Sequence, residues 1–277
     1  MLDPVERLGE KSVTKILQDT ELNMLKKVKN IFDKNGLSFF LACGTALGCA
    51  RHGGFIPWDD DIDIYIRGKD YDRVKEIFKT QDTGNLQFQD YSTVAGYPYT
   101  FPKIVDTSTS LVEKSFSHLN YKCGVYIDVF PIYGITNNKQ LRRMSEIIRY
   151  TRYGLIKAYF FDYESGINKM LHILAKTFVN PTKIQEKLTK MYKNDLDNID
   201  VLIEPGIYGR KALLKASSFS GICMMKFENA EMPMPTGYQD YLADYYGDYM
   251  KLPSEDERVA RHQIAVLEVP GIQELQN

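Results

Sequence analysis

The hydrophobic pattern changes period along the chain, and each change marks an element. From about Thr20 to Lys34, Leu25, Val28 and Phe32 recur on one helical face, with Asp19 or Thr20 able to cap the start and Gly36 able to end the helix. Leu37-Ser-Phe-Phe-Leu-Ala42 then reads as a buried strand, followed by a Gly44-Thr45 turn and a short helix carrying Leu47, Ala50 and Arg51. Between 61 and 66 the period falls to two: Ile62, Ile64 and Ile66 alternate with Asp61, Asp63 and Tyr65, as in a strand with one apolar and one polar face. Tyr71 to Lys79 is again helical, with Val74, Ile77 and Phe78 turned inward.

Short β-like runs follow at Leu86–Phe88, Phe101–Val105, Ser110–Glu113 and Val125–Phe130. From about Lys139 to Asn194 the pattern is helical and rich in Lys, Arg and aromatics, and the last third mixes short strands with a helix near Tyr238–Tyr249. Neither a repeat nor a Pro/Gly/Ser-rich linker divides the chain. This order predicts an α+β protein: a core over 1–135, a helical insertion over 136–200 and a C-terminal segment over 201–277 that packs back on the core.

Composition narrows the function. With 35 Lys and Arg against 36 Asp and Glu in 277 residues, the net charge is -1, which removes the electrostatic basis for general nucleic-acid binding. The four cysteines form no C-x-x-C and are too sparse for a disulfide framework, so they read as small buried hydrophobes. The start of the chain is mixed and charged rather than basic then apolar, and no apolar run approaches the ~18 residues of a membrane span. A cytoplasmic protein is expected. The histidines have no zinc spacing, and no Ser-His-Asp or nucleophilic Cys motif is recognisable.

Asp59, Asp60, Asp61 and Asp63 place four carboxylates in five residues, two of them on one face of the predicted strand. Such clustering beside apolar residues is unfavourable without a compensating cation, and grouped carboxylates are the hard oxygen donors Mg²⁺ selects. The alternative is a solvated acidic turn, which the buried isoleucines of the same strand disfavour. Asp128 stands alone in the apolar run Gly124-Val-Tyr-Ile-Asp-Val-Phe-Pro131, either completing a three-carboxylate site from a neighbouring strand or bonding to nearby backbone. The Gly44-Thr45 turn suits a phosphate, with Arg51, His52 and Lys103 as candidate counter-charges. Trp58, Tyr65, Tyr126 and Tyr133 border these segments and offer faces to a quaternary ammonium, although aromatics more often pack a core; the Tyr238, Tyr241, Tyr245, Tyr249 stripe reads as helix packing.

The run from Cys43 through Gly44-Thr45-Ala-Leu-Gly48, Arg51-His52-Gly53-Gly54 and Pro57-Trp58-Asp59-Asp60-Asp61-Ile62-Asp63 resembles the signature of the LicD family, bacterial phosphorylcholine transferases related to fukutin and fukutin-related protein. The resemblance extends to Tyr126–Pro131 and to a tail containing Tyr246-Gly247-Asp248 and Arg261-His262. It implies a nucleotidyltransferase-like mixed sheet in which Gly44 and Thr45 form the phosphate turn, with Asp61, Asp63 and Asp128 as catalytic residues and ligands of Mg²⁺ or Mn²⁺. It further implies transfer of phosphocholine from CDP-choline to a hydroxyl of a teichoic acid, lipopolysaccharide or similar glycan acceptor, with release of CMP. Asp128 would be a metal ligand or a base. Two readings compete: a nucleotidyltransferase acting on a small acceptor, and a non-catalytic glycan- or nucleotide-binding subunit. The basic, aromatic stretch from Arg142 to Lys190 adds the expectation of peripheral contact with an anionic membrane carrying a lipid-linked acceptor, against a solvated face over a packed core.

Overall fold

The structure is a computed structural model that describes residues 10–121, 123–135, 138–163, 165–191, 201–203 and 213–271. Helix α1 spans Glu10–Lys34 and buries Leu17, Met24, Leu25, Val28 and Phe32. It starts ten residues before the expected Thr20, because Asp19 and Thr20 are interior: the Thr20 hydroxyl donates to the Ile16 carbonyl one turn back rather than capping a new helix. Gly36 ends the helix at φ +60°, and the Leu37 N–H closes onto the Phe32 carbonyl.

Strand β1 (Phe39–Leu41) leads into α2 (Cys43–His52), β2 (Asp63–Arg67), α3 (Tyr71–Thr80), β3 (Leu86–Gln89), β4 (Lys103–Asp106), β5 (Ser110–Glu113) and β6 (Tyr126–Gly134). The main sheet runs β1-β2-β6-β4-β3. Its central pair, β2 and β6, is parallel, whereas β1 on β2, β4 on β6 and β3 on β4 are antiparallel. Mixed pairing within one sheet, with helices packed outside it, makes the architecture α+β.

One face of the sheet carries Ile64, Val129, Ile104 and Phe88, which occupy neighbouring register positions. Helices cover it: α3 sets Tyr71 against Phe88, and α1 sets Phe32 edge-on to Phe39, the register partner of Ile66. The other face was expected to be polar along β2. Its Tyr65 is instead fully buried against Phe130, Phe219 and Tyr241, so both faces of this central strand are covered, as a parallel pair requires. Gly124 admits β6 to its place, since a Cβ there would lie 2.0 Å from the Asp106 carbonyl.

The expected helical region divides into α4 (Lys139–Phe160), α5 (Gly166–Phe178) and α6 (Pro181–Met191). The Asn138 side chain accepts from the Gln140 and Leu141 N–H groups to start α4, and Pro181 opens α6 where a missing N–H costs nothing. The predicted end of this region, 192–194, lies outside the described residues. Strands β7 (Val201–Ile203) and β8 (Leu213–Lys215) extend the far end of β6. The β9 (Ile222–Phe227) and β10 (Ala230–Pro235) hairpin packs against β1 and α2, then α7 spans Tyr238–Tyr246. Finally β11 (Ile264–Glu268) pairs with β5, opposing Ile264 to Glu113.

Candidate active site

The sheet register brings the acidic residues together. Asp63 opens β2 and lies directly beside Asp128 of the parallel β6, while Lys103 of β4 lies directly beside Asp128 on its other side. Residues in register share a face. Asp61, two positions before Asp63, joins them, and Asp61, Asp63 and Asp128 offer carboxylate oxygens that all lie within 4.8 Å of one another. Asp63 and Asp128 are buried and Asp61 is partly exposed.

Water removal and mutual repulsion perturb these groups. Burial, reinforced by Asp128 and Asp60 and opposed by His262 and Lys103, pushes the Asp61 carboxyl up to about 6. Burial raises Asp128 and Asp59 as well. The Lys103 ammonium is buried 2.5 Å from the Asp128 carboxylate and 3.2 Å from the centre of the Tyr126 ring, with the Tyr99 ring at 4.1 Å. Both tyrosines donate their hydroxyls to Glu113. Lys103 therefore steadies a carboxylate of the cluster.

Two contributors were not legible as site residues. Asp60 turns away from the triad and receives the backbone N–H groups of Arg261 and His262, while its carboxylate lies 3.2 Å from His262 Nδ1. Asp60, Asp61 and His262 thus form a second group of potential ligands sharing Asp61 with the first. Residue 262 is brought there by the β11–β5 pairing, and no local spacing announces it. Glu21 of α1 is buried, its Oε2 has no hydrogen-bond partner among the described residues, and burial together with Asp61, Asp60 and Asp128 raises its pKa well above the usual carboxylate range. A glutamate inside an amphipathic helix gives no sequence signal of such a position.

Burial disfavours the His262 imidazolium, yet the bond to Asp60 and the charge of Asp61 outweigh it and push the pKa up from 6.5 to about 9. A group whose pKa is raised on folding adds stability that is complete below its unfolded value and is lost as pH rises through the folded one. With divalent ions chelated, the thermal stability advantage of the parent chain over His262→Gln should be constant below pH 6.5 and shrink toward about pH 9. An advantage that grows over that interval, in melting curves at stepped pH, refutes the ion pair.

The remaining expected residues surround this centre. Gly44 and Thr45 sit inside the first turn of α2, not before it. The Thr45 hydroxyl accepts the Asp63 N–H at 2.8 Å, orienting the start of β2, and a Cβ on Gly44 would meet the Asp59 carboxylate at 2.6 Å. Arg51 Nη1 donates to the carbonyls of Tyr249 and Lys251, clasping the segment after α7. His52 touches Trp58 edge-on, and the Arg258 guanidinium lies 5.6 Å from the Trp58 ring centre. Tyr65 and Tyr133 pack in the core, and Tyr241 accepts the Cys43 N–H, so the tyrosines of α7 are packing residues.

Residues 36–164 match the family model described as the LicD/FKTN/FKRP nucleotidyltransferase domain. This chain carries a LicD-family domain. All three clustered carboxylates fall inside the matched range, whereas His262 and Glu21 lie outside it. The chain is 27% identical over 256 residues to the lipopolysaccharide cholinephosphotransferase LicD of Haemophilus influenzae, covering 87% of this chain and 92% of that one. It is also 27% identical over 106 residues to the human ribitol 5-phosphate transferase FKRP, covering 38% of this chain and 19% of that protein. An uncharacterized Rickettsia typhi protein, RT0683, is 34% identical over 71 residues.

Proposed function

We propose that the chain transfers phosphocholine from CDP-choline to a sugar hydroxyl of a cell-surface glycan of the lipopolysaccharide or teichoic acid type, releasing CMP. The observation that carries this reading is the convergence of Asp63 and Asp128, in register on two parallel strands, with Asp61 just before β2. The similarity over 87% of the chain to a lipopolysaccharide cholinephosphotransferase supports phosphocholine as the substituent.

The donor set fits a divalent ion. It consists of hard carboxylate oxygens at mutual ligand distance, and the buried acids Glu21, Asp60, Asp63 and Asp128 outnumber the cations that face them, Lys103 and His262. Asp61, Asp63 and Asp128 would hold Mg²⁺ or Mn²⁺. When bound, such an ion neutralises charge on the bridging phosphates and on the departing nucleotide. Thr45 and Lys103 keep Asp63 and Asp128 in place through the Asp63 N–H and the Asp128 carboxylate. The acceptor oxygen forms the new bond to the phosphocholine phosphorus, the bond from that phosphorus to the CMP oxygen breaks, and the acceptor proton passes to a carboxylate of the cluster.

A donor screen tests the assignment. CDP-choline, CDP-ethanolamine, CDP-glycerol and CDP-ribitol are each incubated with the chain, Mg²⁺ and a glycan acceptor. CMP release greatest with CDP-choline is expected. Preference for CDP-ribitol would move the activity toward that of the human ribitol 5-phosphate transferase FKRP. Pyrophosphate release from a nucleoside triphosphate, without CMP from any CDP donor, would replace the reading with nucleotidyl transfer. Binding of CDP-choline without turnover would replace it with a binding subunit.

A further inference from the structure

Helices α4 and α5 turn their apolar faces away from the protein. On α4 only Arg149, Ile156 and Phe160 are buried, whereas Leu141, Met144, Ile147 and Leu155 are exposed, Ile147 to 65%. On α5 only Ala175 is buried, and Ile167, Met170, Leu174 and Phe178 form a stripe at i, i+3, i+7 and i+11, with Ile167 exposed to 69% and Phe178 to 80%. In α3 the corresponding residues Val74, Ile77 and Phe78 all face inward, as a helix of a monomeric globular protein requires. Side chains of this size left in water over two neighbouring helices mark a surface that is covered in use.

Charge identifies the cover. Residues 139–178, which span α4 and α5, hold eight of the chain's 35 Lys and Arg but three of its 36 Asp and Glu, so a chain of net charge -1 concentrates positive charge on the helices that expose apolar stripes. Arg143 and Lys169 are exposed beside those stripes. A second copy of the same surface would bring like charge against like, while a leaflet of anionic lipid matches both the apolar stripes and their basic flanks. No helix among the described residues is long and apolar enough to cross a membrane, so the contact is one of lying on the surface.

We propose that the α4–α5 face docks the protein on an anionic bilayer, its apolar side chains entering the acyl boundary and its Lys and Arg meeting the headgroups. This rests on surface chemistry and stands apart from the donor assignment. The test is co-sedimentation of the full chain with vesicles of phosphatidylcholine, with and without phosphatidylglycerol. Binding to the phosphatidylglycerol vesicles alone is expected. Met144→Glu with Ile147→Glu, or Met170→Glu with Leu174→Glu, should lower the partition coefficient roughly tenfold or more while circular dichroism stays that of the parent. Arg143→Glu with Lys169→Glu, which leaves the apolar stripes intact, should weaken binding and flatten its dependence on salt. A chain that stays in the supernatant with both vesicles, or binds both equally, overturns the proposal. So does a dimer in lipid-free gel filtration that the Met144→Glu, Ile147→Glu variant dissolves, since the cover is then a second copy.

Discussion

Asp63→Asn and Asp128→Asn are each expected to lower transfer at least about a thousandfold, with the melting temperature of Asp63→Asn close to that of the parent chain and that of Asp128→Asn lowered because the buried Lys103 loses its ion pair. The two side chains face each other across the parallel β2–β6 pair, so each substitution removes a negative charge from the centre of the cluster without changing shape. The fold should tolerate this. Asparagine keeps an oxygen able to accept from Lys103 at position 128, and the Asp63 backbone N–H that Thr45 receives is unaffected by the side chain. Less repulsion among buried acids offsets part of any loss. Calorimetric titration with Mn²⁺ gives a readout independent of turnover: the parent chain should bind and either variant should bind much more weakly. Near-parental transfer by either variant would remove the residue from the reaction, and parental Mn²⁺ binding by both would remove the carboxylate pair from the metal assignment.

Lys103→Met should be the most destabilising substitution near the site, by about 3–5 kcal/mol, because it strands Asp128 without its cation in a buried setting. For a chain of this size that corresponds to a fall in melting temperature of roughly 10 °C. Three losses add: the ion pair, the ammonium over the Tyr126 and Tyr99 rings, and the ordering of those rings beneath Glu113. Adding Asp128→Asn to Lys103→Met removes the stranded charge and should restore more than half of the lost stability. Strict additivity of the two changes in denaturant titrations would show that the pair is not coupled, and that Lys103 acts through packing alone.

Much of this site could be read because its information is local. The alternation of isoleucine with aspartate over 61–66 reports a strand with carboxylates on one face, since side chains in extended backbone reverse at every residue. Asp128 stood out because a lone acid in an apolar run has few explanations. What failed did so for equally physical reasons. Asp19 and Thr20 have the chemistry of a cap, and only the Thr20 bond to Ile16 shows that the helix continues behind them. Tyr65 was placed on a polar face because it alternates with isoleucine, yet Phe219 and Tyr241, more than 150 residues distant, close over it. For Lys103, read as a counter-charge to phosphate, the β4–β6 register adds a partner that no local pattern named, Asp128.

The amino-acid order alone determined the periodic elements of the first half, the β2 and β6 segments and the residues able to bind a cation, because each depends on neighbours within a turn or two. It left open which strands touch, and therefore whether three acids made one site or several. Tertiary structure decided that through the parallel pairing of Asp63 with Asp128, and through the β11–β5 contact that delivers His262 to Asp60 across 202 positions. It also decided that α4 and α5 present their apolar stripes outward. A helical period specifies that a face exists, whereas the direction it points depends on what the rest of the chain leaves uncovered.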